Sequence, residues 1–71
     1  MRIPKQAAEI ARQVQPAGDG WRTVFEVSYY PGDLLCQRKR YFAIESQARE
    51  WAGSRPIHQR ASVWPLRLRF T

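Results

Sequence analysis

Two side chains in this 71-residue chain have the intrinsic reactivity for nucleophilic or proton-transfer chemistry near neutral pH, Cys36 and His58, and neither has a helper nearby in sequence. A thiol becomes a nucleophile when a base and an orienting group sit beside it. No histidine neighbours Cys36, which reads instead as a small buried apolar residue. His58 falls in a polar loop and reads as a surface residue within reach of a phosphate. The six carboxylates, Glu9, Asp19, Glu26, Asp33, Glu45 and Glu50, are scattered without metal-ligand spacing. A single cysteine excludes an internal disulfide and a cysteine-based zinc site, and no glycine-rich phosphate loop is present. The expectation is a chain without catalysis, metal or cofactor.

The residue types favour anion recognition. Twelve Lys and Arg against six Asp and Glu give a formal charge of +6 and a pI near 10.5. Lys5 and Lys39 are the only lysines, so the cationic surface is made of arginine. Arginine makes planar, bidentate contacts with phosphates, base edges and carboxylates, where lysine acts as a point charge. The densest run is Arg38-Lys39-Arg40-Tyr41. With Arg22, Tyr30, Arg67 and Arg69 it is expected to form one basic, aromatic sheet face. The partners this suggests are DNA or RNA first, an acidic host protein or ribonucleoprotein complex second, and anionic lipid last. The competing reading is a solvated, charged sheet edge that resists aggregation.

The elements that would position these residues follow from periodicity. Ala7, Ile10, Ala11 and Val14 recur at helical spacing between Pro4 and Val14, and Pro4 suits a first helical turn. The stripe is thin, so the helix must dock to persist. Gln15-Pro16-Ala17-Gly18-Asp19-Gly20 breaks it. From Trp21 to Tyr30 the chain alternates, with Trp21, Thr23, Phe25, Val27 and Tyr29 on one face, which argues a strand. Pro31-Gly32-Asp33 is a turn. A second strand runs from about Leu34 to Ala43, with a bulge allowed and Phe42 placed inward. A helix starts at Glu45 or Ser46, Ser46 being a candidate N-cap, and Ala48, Trp51 and Ala52 form its buried stripe. Gly53-Ser54-Arg55-Pro56 stops it. Ser62 to Phe70 alternates again, and Pro65 marks that strand as an edge.

One small α+β domain over residues 1–71 is therefore expected. It comprises an N-terminal helix (1–15), a linker (16–20) and a ββαβ core (21–71). The core is a three-stranded antiparallel sheet in the order 2-1-3 packed against one helix. Trp21, Tyr29, Trp51 and Trp64 are expected in the core, and only Tyr30 and Tyr41 point outward among the tyrosines and tryptophans. Whether the N-terminal helix covers the outer face of the sheet stays open. No apolar run approaches the roughly 18–20 residues of a membrane span, and the first residues lack a secretory apolar region. A cytoplasmic protein without a membrane partner is expected.

The stretch Phe42-x-x-x-x-x-Ala48-x-x-Trp51, preceded by an alternating strand that begins Gly20-Trp21-Arg22, resembles the arm-type DNA-binding domain of phage and transposon tyrosine recombinases. The likeness covers about residues 20–53. It implies a sheet face lying in the major groove, with Arg22, Lys39 and Tyr41 as contacts. A similar strand–helix joint occurs in small phage anti-CRISPR proteins. There the joint is a packing solution; small size and the absence of catalytic chemistry are what suit an alternative role as a phage-encoded inhibitor docked on a host nucleic-acid-handling complex.

Overall fold

The computed structural model describes residues 3–32 and 35–69. Helix α1 (Lys5–Ala11) leads to strand β1 (Arg22–Tyr29), which turns into β2 (Arg38–Phe42). Helix α2 (Glu45–Gly53), a 3-10 turn (Ile57–Gln59) and strand β3 (Ser62–Leu68) complete the chain. The three strands form one antiparallel sheet in the order β2-β1-β3, so β1 is central and both neighbours are edges. Among the described residues no helix is long and apolar enough to cross a membrane.

The pairing register decides which residues share a face. Val24 lies opposite Leu66, Arg22 opposite Leu68, and Glu26 opposite both Tyr41 and Trp64. Phe25 lies opposite Phe42 and Pro65, and Tyr29 opposite Arg38. Because side chains alternate along a strand, the apolar set of β3 joins Val24 and not the Phe25–Val27–Tyr29 set. The sheet therefore has an apolar stripe on each side, and each stripe takes a helix. On one side α1 seats Ala7 and Ala11, both fully buried, against Val24, Tyr41 and Leu68. Ile3, Ile10, Val14 and Leu66 close the rim of this cluster. On the other side α2 packs across all three strands, burying Ala48 and setting the Trp51 ring 5.0 Å from Tyr29 and 6.0 Å from Phe42.

This arrangement corrects several expectations. Tyr41, expected outward, is only 8% exposed, because α1 covers it. Trp64, expected in the core, is 61% exposed, since α1 reaches β1 and β2 but leaves this part of the β3 edge open. Cys36 is exposed and not a core residue. Helix α1 ends at Ala11, short of Val14, and its last carbonyls are taken by tighter bonds from Gln13 to Ile10 and Val14 to Ala11. Strand β2 is confined to Arg38–Phe42, with Leu35 90% exposed; Asp33, Leu34 and Phe70 lie outside the described residues. Ile44, not Ser46, occupies the N-cap of α2, with no side-chain cap bond. Glu45 in its first turn supplies the favourable charge instead.

The segment between α1 and β1 is a built turn. Asp19 Oδ1 accepts from the Trp21 amide at 3.0 Å, and the Ala17 amide donates to the Trp21 carbonyl at 2.8 Å. Gly20 sits at φ +86°, a left-handed conformation that costs glycine little. At the other end of β1, the Tyr30 amide donates to the Gln59 carbonyl at 2.7 Å. The 3-10 turn is thereby tied to the sheet, and the return into β3 is fixed.

Tyr41 gives this interior a pH signature. Burial raises its phenol above the ordinary value near 10, and the Glu26 carboxylate beside it adds to the rise through its charge and a hydrogen bond. A raised phenol favours the protonated form in the folded state. Its contribution is complete below about pH 10 and is lost as pH climbs from there through the folded value, where the unfolded chain ionises first. Between about pH 9 and about pH 11 the native chain should lose more unfolding free energy than Tyr41→Phe in parallel denaturant titrations. Equal losses would show that Tyr41 is neither buried beneath α1 nor held against Glu26.

Candidate nucleic-acid interface

The eight residues singled out from the sequence do not share one face. Arg22, Lys39 and Tyr41 belong to the α1 side, where each is engaged. The Arg22 guanidinium donates to the Ala11 carbonyl at 3.1 Å, satisfying the end of α1 and complementing its dipole. Lys39 pairs with Glu26 at 3.5 Å. Tyr41 is beneath the helix. These are the same three residues that the recombinase-like pattern would use; in this chain Arg22 and Tyr41 hold α1, and Lys39 is paired with Glu26. Tyr30 stands at the end of β1, where its hydroxyl accepts from Gln37 Nε2 at 3.2 Å.

Arg38, Arg40, Arg67 and Arg69 belong to the α2 side, two from each edge strand and its extension. Here the guanidinium groups are held on aromatic rings in two clusters. At the end of the sheet near Tyr29, Trp51 carries Arg40 at 5.0 Å and Arg55 at 4.6 Å from its ring centre, and Arg40 also lies 5.4 Å from Phe42. At the opposite end, Trp21 carries Arg67 at 5.1 Å and Arg69 at 5.9 Å. Each such contact is worth about 0.5–1 kcal/mol when partly solvated. Its larger effect is to fix the plane of a side chain that would otherwise sample many rotamers.

The charges that oppose these arginines are few. Asp19 takes Arg67 at 3.3 Å, and Glu45 is bound to Arg49 within α2 at 3.1 Å. Among the described residues, Arg38, Arg40, Arg55 and Arg69 meet no carboxylate. A ring behind a guanidinium blocks one of its flat faces; Arg55 has its Nε buried and its Nη2 donating to Ser54 Oγ at 3.2 Å, whereas the exposed Arg40 and Arg69 keep the N–H edge available. That edge suits a phosphate oxygen better than it suits stacking on a base.

The clusters are well separated. Trp51, which touches Tyr29 and the Phe42 that lies opposite Phe25, stands level with Val27, six residues along β1 from Trp21, or about 20 Å at about 3.4 Å per residue. That distance corresponds to about six base-pair steps of a B-form duplex at 3.4 Å each. The slab-like outline of the chain, 39 × 25 × 14 Å between Cα extremes, allows both clusters to meet one extended partner.

Sequence reasoning missed Arg55 and the role of the two indoles. Arg55 follows Trp51 by four positions, the spacing at which side chains meet on a helix, and that was the available signal. Trp21 and Trp51 read as core because indoles usually are; both are half-buried, with one surface on the sheet and the other under arginine. Among the described residues no three His, Cys, Asp or Glu gather as metal ligands. No protein-family model, curated protein or solved structure matches this chain.

Proposed function

We propose that this chain is a non-catalytic binding protein that grips the phosphate backbone of nucleic acid with the arginines of its α2 side. The observation that carries the reading is the pair of arginine-clad indoles, Trp51 with Arg40 and Arg55, and Trp21 with Arg67 and Arg69, on one side of the sheet. Preorganised guanidinium groups, of which only Arg67 meets a carboxylate among the described residues, fit a polyanion whose charges recur along a line. Backbone contact of this kind positions without reading sequence. The α1 side, with Lys39 and Arg22 already engaged, takes no part.

Anisotropy titration of a labelled duplex of about 20 base pairs over a salt series tests this. Arg38, Arg40 and Arg69, the exposed arginines of the α2 side that meet no carboxylate among the described residues, give a log–log slope of about −2.7 at about 0.9 counterions released per phosphate contact. Shortening the duplex below about six base pairs removes the second cluster from reach and should weaken binding at least tenfold, whereas trimming from about 20 to about 12 should do little. Absence of binding at low salt, or a slope near zero, ends the proposal.

A further inference from the structure

We propose that the outer edge of β2 accepts an extended acidic segment of a partner protein as a fourth strand of the sheet. This goes beyond phosphate contact, because it uses the backbone of residues 38–42. Strand β2 pairs with β1 alone, so one row of its amides and carbonyls has no ladder partner among the described residues. Unpaired edges of this kind receive peptides by main-chain hydrogen bonding, with alternate side chains entering flanking pockets.

Both flanks of this edge carry such a pocket. On the α2 side a cleft of about 340 Å³ is lined by Phe42, Gln47, Glu50, Trp51 and Ser54. On the α1 side a second cleft of about 330 Å³ lies between Tyr41, Arg40, Ile10 and Glu9. A strand laid along β2 would send its side chains alternately into the two. The opposite edge lacks this equipment, since Pro65 in β3 has no N–H to offer a ladder.

Charge selects the occupant. Arg38 and Arg40 point to the α2 side, both exposed and without a carboxylate among the described residues. A second copy is disfavoured: two-fold antiparallel pairing centred on Lys39 or Arg40 sets cation directly opposite cation, which destabilises a sheet. A partner strand with carboxylates at alternate positions meets Arg38 and Arg40 on one side. Its apolar residues then meet Tyr41 and Ile10 on the other. The basic edge that repels its own kind is thus open to an acidic strand.

The test uses the native chain and a capped octapeptide alternating glutamate and valine, followed by amide shifts in nuclear magnetic resonance. Saturable shifts centred on Arg38–Phe42 are expected, with at least tenfold weaker binding when every glutamate is replaced by lysine. N-methylation of one alternate set of peptide nitrogens should abolish the shifts, and methylation of the other set should change affinity by less than about threefold, because alternate residues of an added strand face the sheet. No shifts at millimolar peptide, equal binding of the lysine peptide, or equal effects of the two methylation patterns would each overturn the proposal. No nucleic acid is present, so the outcome is independent of the phosphate-binding reading.

Discussion

Trp51→Ala is expected to lower the unfolding free energy by about 3 kcal/mol, the lower end of the range for removing a large aromatic from a core. A domain of this size holds about 7 kcal/mol at about 0.1 kcal/mol per residue, so the variant would lose nearly half of its stability. Its melting temperature should fall by roughly 15–20 °C. The size of the effect follows from what the indole joins. It meets Tyr29 and Phe42 on the sheet, and it supports Arg40 and Arg55 on its exposed side. Trp64→Ala is the matched comparison. That ring is 61% exposed, with its indole N–H donating only to Ser62 Oγ at 3.2 Å, and its loss should cost under about 1 kcal/mol. Thermal unfolding of both variants decides the matter. Equal losses would mean that the α2 side is not built around Trp51.

That contrast marks how far the sequence alone could be read. The strand order, the central position of β1 and the helix between β2 and β3 were legible, because alternation, turn residues and Pro65 all agreed. The assignment of faces was not. Trp64, Leu66 and Leu68 look like one inward set beside Trp21, Phe25 and Val27, and joining them assumes a sheet with a single buried side. Register is set by the pairing of Val24 with Leu66, and nothing local to either strand announces it. Once α1 docks on Val24, Tyr41 is covered and Trp64 is left bare.

The same ambiguity hid the site. Arg38-Lys39-Arg40-Tyr41 reads as one basic patch, yet alternation sends its members to opposite sides of the sheet. Arg38 and Arg40 join Arg67 and Arg69, while Lys39 and Tyr41 turn to Glu26 and α1. A run of like residues in a strand is two half-runs in space. The arginine–indole stacks unite residues from separate elements, Arg40 with Trp51 and Arg67 with Trp21, so no single stretch of sequence contained them.

The central claim is that one side of the sheet, not net charge, carries binding, and two charge-matched variants measure it most directly. Arg38→Gln with Arg69→Gln removes two cations from the α2 side, neither of them needed by a carboxylate among the described residues. Lys5→Gln with Arg12→Gln removes two exposed cations at α1 and its C-terminal cap. Both variants lower the charge equally, so long-range attraction falls by the same amount. Losing two charge-assisted contacts of about 1.4 kcal/mol each should weaken duplex binding about a hundredfold for the first variant. Its salt slope should shrink by about two. The second variant should stay within about threefold of the native chain and keep its slope. Equal weakening of both would contradict the account, because binding would then follow total charge and not the arginines of the α2 side.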